Sequence, residues 1–96
     1  MSRNIIQSKG MLLGEKLIKG IELSRSDGLA VSILEATWTL RSPSSGAPSD
    51  PAPAVIDGAK VSAMVEPVEP GMHILEFTVE LTDGQIDKTR LRFDVQ

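Results

Sequence analysis

The last third of the chain decides the fold. It reads His73-Ile74-Leu75-Glu76-Phe77-Thr78-Val79-Glu80-Leu81, then Thr82-Asp83-Gly84-Gln85, and after three residues Thr89-Arg90-Leu91-Arg92-Phe93-Asp94-Val95. Both long runs alternate apolar and polar residues, which is the pattern of β-strands with one buried and one solvated face. The Asp-Gly pair between them is typical of a tight turn. The stretch therefore predicts a β-hairpin with Leu75, Phe77, Val79, Leu91 and Phe93 in the core.

The alternation also restricts the hairpin loop. The apolar residues of both runs are odd-numbered, and facing residues of a hairpin lie on the same side of the sheet. A two-residue loop at Asp83-Gly84 would place odd residues opposite even ones and turn one strand inside out. We therefore expect either a three-residue loop over residues 83–85 or a bulge, with Gly84 at positive φ. The three-residue register pairs Glu80 with Lys88, Thr78 with Arg90 and Glu76 with Arg92.

Composition excludes several classes of function. The 96 residues make one domain without cysteine, so a disulfide framework, a thiolate metal site and a cysteine nucleophile are excluded. A net charge of −3 with scattered basic residues argues against nucleic-acid binding. No apolar run is long enough to span a membrane, and the first residues lack the apolar core of a secretory signal. We expect a protein made in the cytoplasm that leaves it, if at all, within an assembled particle.

Shorter stretches upstream predict the remaining strands. They cover residues 3–8, 15–24, 35–41, 54–56 and 60–65, and residues 29–33 are a further short strand or a loop packed on the core. A helix over residues 11–23 is the alternative for the second stretch, although Gly14 and Gly20 disfavour it. About seven short antiparallel strands separated by turns predict an all-β, immunoglobulin-like two-sheet sandwich. Trp38, on a middle strand, would fill the space between the sheets.

Two segments lie outside this regular pattern. Residues 1–13 form an N-terminal segment that is either a first strand or an assembly arm, and the sandwich itself covers residues 14–96. The stretch over residues 42–53 is rich in serine and proline. Such a stretch is unsuited to pairing in a sheet, so it predicts a mobile surface loop.

Residues with the chemistry of an active site are few and isolated. His73 is the single histidine, so it has no second imidazole for a metal site, and its place after Pro70-Gly71 favours a structural role. No nucleophile motif is present. Glu66 and Glu69 lie beside prolines in what we interpret as a solvated turn. The sequence thus predicts a protein that is not an enzyme, with no catalytic residue, metal site or cofactor and no small-molecule substrate.

One group of apolar residues does not fit the alternating faces. Its members either plug the open ends of the sandwich or form a contact patch for a neighbouring subunit. They are Met11, Leu12, Leu13, Leu29, Met64 and Met72.

The order of motifs in residues 14–96 resembles a known family. The motifs are an Ala36-Thr37-Trp38-Thr39 strand, a strand ending at Asp57-Gly58, a Pro70-Gly71 turn opening the His73 strand, and the Thr82–Gln85 hairpin. This pattern is similar to small immunoglobulin-like proteins of tailed bacteriophages, the fibre–tail adaptors and related cement proteins. The chain departs from it at His73, where the family usually has tyrosine, and in its long proline-rich loop.

The resemblance implies a structural role without catalytic residues. It predicts an accessory or adaptor subunit of the virion at the tail, neck or fibre attachment, present in many symmetric copies and bound to other virion proteins. A capsid-decorating cement protein is the alternative. A ligand- or carbohydrate-binding module of a bacterial protein is an alternative of another class, disfavoured because the chain has no tyrosine to present on a binding face.

Overall fold

The chain folds into β-strands in the parts that its computed structural model describes, residues 5–24, 31–45 and 47–96. The strands are β1 (Ile5–Gln7), β2 (Leu17–Glu22), β3 (Ile33–Arg41), β4 (Ala52–Pro53), β5 (Val55–Asp57), β6 (Lys60–Val65), β7 (Gly71–Leu81) and β8 (Ile86–Val95). The predicted all-β sandwich is confirmed. The alternative of a helix over residues 11–23 is wrong, since β2 lies within that range.

The strands form two sheets. One has five strands in the order β1-β8-β7-β3-β4, and the other has three in the order β2-β6-β5. The chain crosses between the two sheets four times, after β1, β2, β4 and β6, as expected of a two-sheet sandwich. The pairing of β1 with β8 is parallel, unlike the all-antiparallel arrangement that the sequence predicts. Strands joined by a hairpin must be antiparallel, but β1 is followed in the chain by β2 of the other sheet, so its direction relative to β8 is not restricted in this way.

The closing hairpin has the predicted loop length at a different position. The Leu81 N–H donates to the Gln85 carbonyl at 2.8 Å, and the Gly84 N–H donates to the Leu81 carbonyl at 3.0 Å. The loop is therefore residues 82–84, with Gly84 at φ 93° in its last position. The predicted parity of facing residues is correct, but the predicted pairs are wrong: Glu76 lies opposite Arg90 and Thr78 opposite Lys88.

The core lies between the two sheets and is built from alternate residues of the long strands. Its members from the hairpin include Leu75, Phe77, Val79, Leu91 and Phe93, and the facing strand β6 adds Val61, Ala63 and Val65. Trp38 lies opposite Phe77 and faces the core, as predicted, but it is only partly buried. The three-stranded sheet is narrower than the five-stranded one, so it does not cover the whole inner face of β3.

The serine- and proline-rich segment is held along the edge of the sheet, which corrects the expectation that it cannot pair. Ala52 and Pro53 pair with β3 as strand β4. The Ser49 N–H donates to the Leu40 carbonyl at 2.9 Å, and the Leu40 N–H donates to the Ser49 hydroxyl oxygen at 2.9 Å. Proline is compatible with this position because an edge strand has one side without a partner.

The N-terminal segment follows β8 to the end of that strand. The Met11 N–H donates to the Asp94 carbonyl at 2.9 Å, and the Leu13 N–H donates to the Gln96 carbonyl at 2.8 Å. Met11 is thereby buried, with an exposed fraction of 2%, and belongs to the core. Main-chain pairing with β8 turns its side chain inward, which agrees with the first of the two alternatives for this residue, packing within the sandwich, and not with a contact patch.

Candidate protein-contact surface

The structure does not bring the predicted contact residues together in one patch. Leu12 and Leu13 are exposed beside the end of β8, and Met72 is exposed on the outer face of the five-stranded sheet. Met64 is exposed on the outer face of the other sheet. Leu29 lies outside the described residues. A role of these residues in protein contact stays a prediction.

Met64 instead belongs to an apolar surface that the sequence analysis missed. It lies directly opposite Ile18, and in the next row Ser62 lies between Gly20 and Val55. Ile18 and Val55 have exposed fractions of 68% and 65%. We call these five residues the outer-face patch. Parity could have revealed it, since the inward set Leu17, Lys19 and Ile21 leaves Ile18 facing outward.

Charged residues border the outer-face patch at both ends. At one end Lys16 and Glu66 form an ion pair with 3.7 Å between Nζ and Oε1. At the other end Glu22 lies opposite Lys60, which lies opposite Asp57. An apolar centre with a charged rim is the arrangement found at protein–protein interfaces.

The patch also adjoins an open sheet edge. Strand β2 pairs with β6 on one side, and no strand among the described residues pairs with its other side. The Leu23 N–H donates to the Ala59 carbonyl at 2.9 Å, which continues the register of β2 and β6. Because antiparallel ladders alternate, the odd-numbered residues of β2 bond to β6 and the even-numbered ones direct their main-chain groups outward. Ile18, Gly20 and Glu22 therefore present N–H and C=O groups at the edge.

Gly20 lies where β2 passes close to β6. A Cβ at this position would lie 2.7 Å from the Val61 carbonyl oxygen and 3.0 Å from the Ser62 Cβ. The first distance is shorter than real Cβ contacts and the second is tighter than most of them, so a side chain at this position would require a shift of the backbone. Ile18, Gly20 and Glu22 are all exposed.

Lys19 points into the sandwich from this same edge strand. Its Nζ donates to the Lys9 carbonyl at 2.7 Å and to the Ser8 hydroxyl at 2.8 Å, and lies 4.8 Å from the centroid of the Phe93 ring. Burial lowers the pKa of Lys19, and the positive charge of Lys9 lowers that pKa further. An inward-pointing charge on an edge strand disfavours indiscriminate pairing with other edges.

His73 is fully buried at the start of β7 and makes structural contacts. Its Nδ1 lies 3.0 Å from the Gly71 carbonyl oxygen, so Nδ1 carries the proton and donates. The ring stacks on Phe93 with 5.5 Å between centroids, and Nε2 has no hydrogen-bond partner in the described part of the chain. In those same ranges no three residues of the histidine, aspartate and glutamate types are grouped so as to hold a metal ion. Nor do the ranges contain a helix with the length and apolarity to cross a membrane.

Comparison with solved structures supports the class of fold. The crystal structure of CopC from Methylosinus trichosporium OB3b matches with a TM-score of 0.64 and 14% identity, over 92% of this chain and 83% of that chain. A 2,6-sialyltransferase from Photobacterium sp. JT-ISH-224 aligns over 98% of this chain but only 18% of the enzyme, with a TM-score of 0.49 and 12% identity. At 14% identity, the CopC match shows a shared β-sandwich fold alone. No protein-family model matches the sequence, and no curated protein matches it significantly.

Proposed function

We propose that this chain is a non-enzymatic structural subunit that binds another protein through the outer-face patch and the open edge of β2. In line with the sequence resemblance, we assign the partner to the structural proteins of a tailed bacteriophage, at the tail, neck or fibre attachment. The observation that carries the proposal is the exposed pair Ile18 and Met64, which lies beside an open edge and within a charged rim.

The mode of binding follows from the geometry of the edge. An extended segment of the partner adds to β2 as a further strand and bonds to the main-chain groups of Ile18, Gly20 and Glu22. Strand addition of this kind derives affinity from main-chain hydrogen bonds and specificity from the neighbouring side chains. Here Ile18 and Met64 would become buried. Because they are 68% and 50% exposed, burial of the remaining surface contributes about 1–2 kcal/mol each.

A patch this small fits a subunit that acts in many copies. One contact of this size gives modest affinity, whereas repeated contacts within a symmetric particle act together and raise the effective affinity.

Cross-linking within purified particles tests the proposal. The chain has no native cysteine, so a single cysteine can be introduced as Ser62→Cys in the patch or, as the control, as Asp83→Cys at the exposed hairpin loop. We expect Ser62→Cys to cross-link to one virion protein and Asp83→Cys to give no such product. Absence of the protein from purified virions by mass spectrometry, or equal cross-linking at both positions, would overturn the proposal.

A further inference from the structure

The outer face of the five-stranded sheet carries a small pocket unrelated to the outer-face patch. Its volume is about 50 Å³, and its walls are formed by Thr39, Arg41, Pro48, Ile74, Glu76 and Arg90. The sheet register places Thr39, Glu76 and Arg90 in one row and Arg41 beside Ile74 in the next. Pro48 is held over these rows because the adjacent Ser49 bonds to Leu40.

The charges of the pocket leave one arginine without a counterion. Arg90 donates from Nε to Glu76 Oε2 at 2.8 Å, and Glu76 is the less exposed partner of that ion pair. The Arg41 guanidinium has no hydrogen bond or ion pair with any of the described residues. The pocket therefore has an excess of one positive charge, on a protein whose net charge is −3.

The volume restricts the size of the ligand. A single water needs roughly 10–15 Å³ when volume is measured in this way, so the pocket holds about four waters or a group of that size. Sites for drug-sized molecules are several times larger, at about 300–1,000 Å³. A carboxylate at the end of a short methylene stem fits, whereas a nucleotide or a sugar does not.

We infer that this pocket binds the carboxylate of an acidic side chain presented by a neighbouring subunit. The inference deepens the proposed function and rests on it, because it takes the ligand to be part of a protein. Arg41 binds the carboxylate as a two-pronged donor, and Ile74 and Pro48 pack against the methylene stem. Glu76 borders the pocket and repels a second negative charge, which favours a monoanionic carboxylate over a phosphate.

The pocket and the outer-face patch lie on the outer faces of different sheets. A chain that uses both surfaces contacts two neighbours on opposite sides of the sandwich. Such a geometry is that of an adaptor, and the serine- and proline-rich segment then has a defined role, because it supplies the Pro48 wall of the pocket.

Titration of the isolated protein tests the inference without any partner. The probe is N-acetylglutamate methylamide, the control probe is the neutral glutamine analogue, and the signals followed are the side-chain N–H resonances of Arg41 and Arg90. We expect a saturable shift with the glutamate probe alone, weakened by about tenfold in Arg41→Gln and retained in Arg92→Gln. Arg92 is a matched control because it is an exposed arginine on the same face and outside the pocket.

Three results would overturn the inference: no saturable shift, equal loss in both variants, or tighter binding of methyl phosphate than of the glutamate probe. The last result would assign the pocket to phosphate. These outcomes are separate from those of the cross-linking experiment. The isolated protein can bind the glutamate probe even if it is absent from virions. Conversely, Ser62→Cys can cross-link to a virion protein even if the pocket binds no carboxylate.

Discussion

Lys19 of β2 is joined to Lys9 of the N-terminal segment by a hydrogen bond of 2.7 Å from Nζ to the main-chain carbonyl oxygen. This bond connects the edge of the three-stranded sheet to the segment that extends the five-stranded one. The space between the two sheets beside β2 thus contains one buried lysine that has no carboxylate partner among the described residues, while the outer edge of β2 stays open.

The first prediction concerns the anchoring of the N-terminal segment. Lys19→Met removes the bonds to Ser8 and Lys9, which lowers stability, and removes a buried charge, which raises it. Because the two effects oppose each other, the free energy of unfolding should change by only about 1 kcal/mol. Amide hydrogen exchange at Met11 and Leu13 should nevertheless become faster, because their segment loses its tie to β2. Lys16→Met is the control, since Lys16 is exposed. Unchanged exchange at Met11 in Lys19→Met would show that pairing with β8 alone holds the segment.

The second prediction is a pH dependence of stability. Burial and the charge of Lys9 lower the pKa of Lys19 in the folded state, whereas the unfolded chain has the ordinary value of 10.5. Between these two pKa values the unfolded state binds more protons, so the contribution of Lys19 to stability rises with pH through that window. In urea unfolding, the free energy of unfolding of wild type minus that of Lys19→Met should be larger near pH 10.5 than at neutral pH. A smaller difference at the higher pH would contradict a lowered pKa of Lys19 in the folded state.

The third prediction concerns the buried imidazole of His73. His73→Phe keeps the stacking on Phe93 and removes the unpartnered Nε2, at the cost of the bond to Gly71. A lost hydrogen bond and a removed unsatisfied group are each worth about 1 kcal/mol, so the free energy of unfolding should be nearly unchanged. His73→Ala leaves a cavity and should cost about 2–5 kcal/mol. Equal destabilisation of the two variants in urea unfolding would mean that the Gly71 bond dominates.

The fourth prediction compares two aromatic core residues. Phe77 is fully buried, so Phe77→Ala should cost about 3–5 kcal/mol. Trp38 packs against the core but is only partly buried, so Trp38→Ala removes less buried surface per atom and should cost less. Thermal unfolding of both variants gives the order. A larger loss for Trp38→Ala would mean that the tryptophan, and not the hairpin, is the centre of the core.

Alternation in the sequence is sufficient to predict the inward faces of the long strands but not the edges of the sheets. The inward faces of β6, β7 and β8 follow from period-2 patterning, because each of these strands has one buried side. The exact hairpin register does not follow, because registers two residues apart bury the same faces. Gly84 could take either the central or the last position of the loop, and only the latter occurs.

The edges depend on long-range contacts that local patterns do not encode. Met11 is buried by pairing with Val95, which is distant in sequence. The proline-rich segment pairs with β3 only because that strand has a free side. Lys19 interrupts an apolar face in the sequence, and its partners Ser8 and Lys9 become apparent only in the folded chain. Ile18, in contrast, was open to prediction from the parity of its strand.

The most direct test of the central claim is incorporation of Ile18→Asp into assembled particles, compared with Ile86→Asp. The two isoleucines are matched in exposure, at 68% and 64%, but Ile86 lies next to the hairpin loop on the other sheet. Both variants should retain wild-type thermal stability because neither side chain is buried. The proposed function predicts that Ile18→Asp lowers the amount of protein in purified particles by about tenfold or more, whereas Ile86→Asp leaves it unchanged. Equal incorporation of the two variants would contradict the assignment of the outer-face patch as the partner-binding surface.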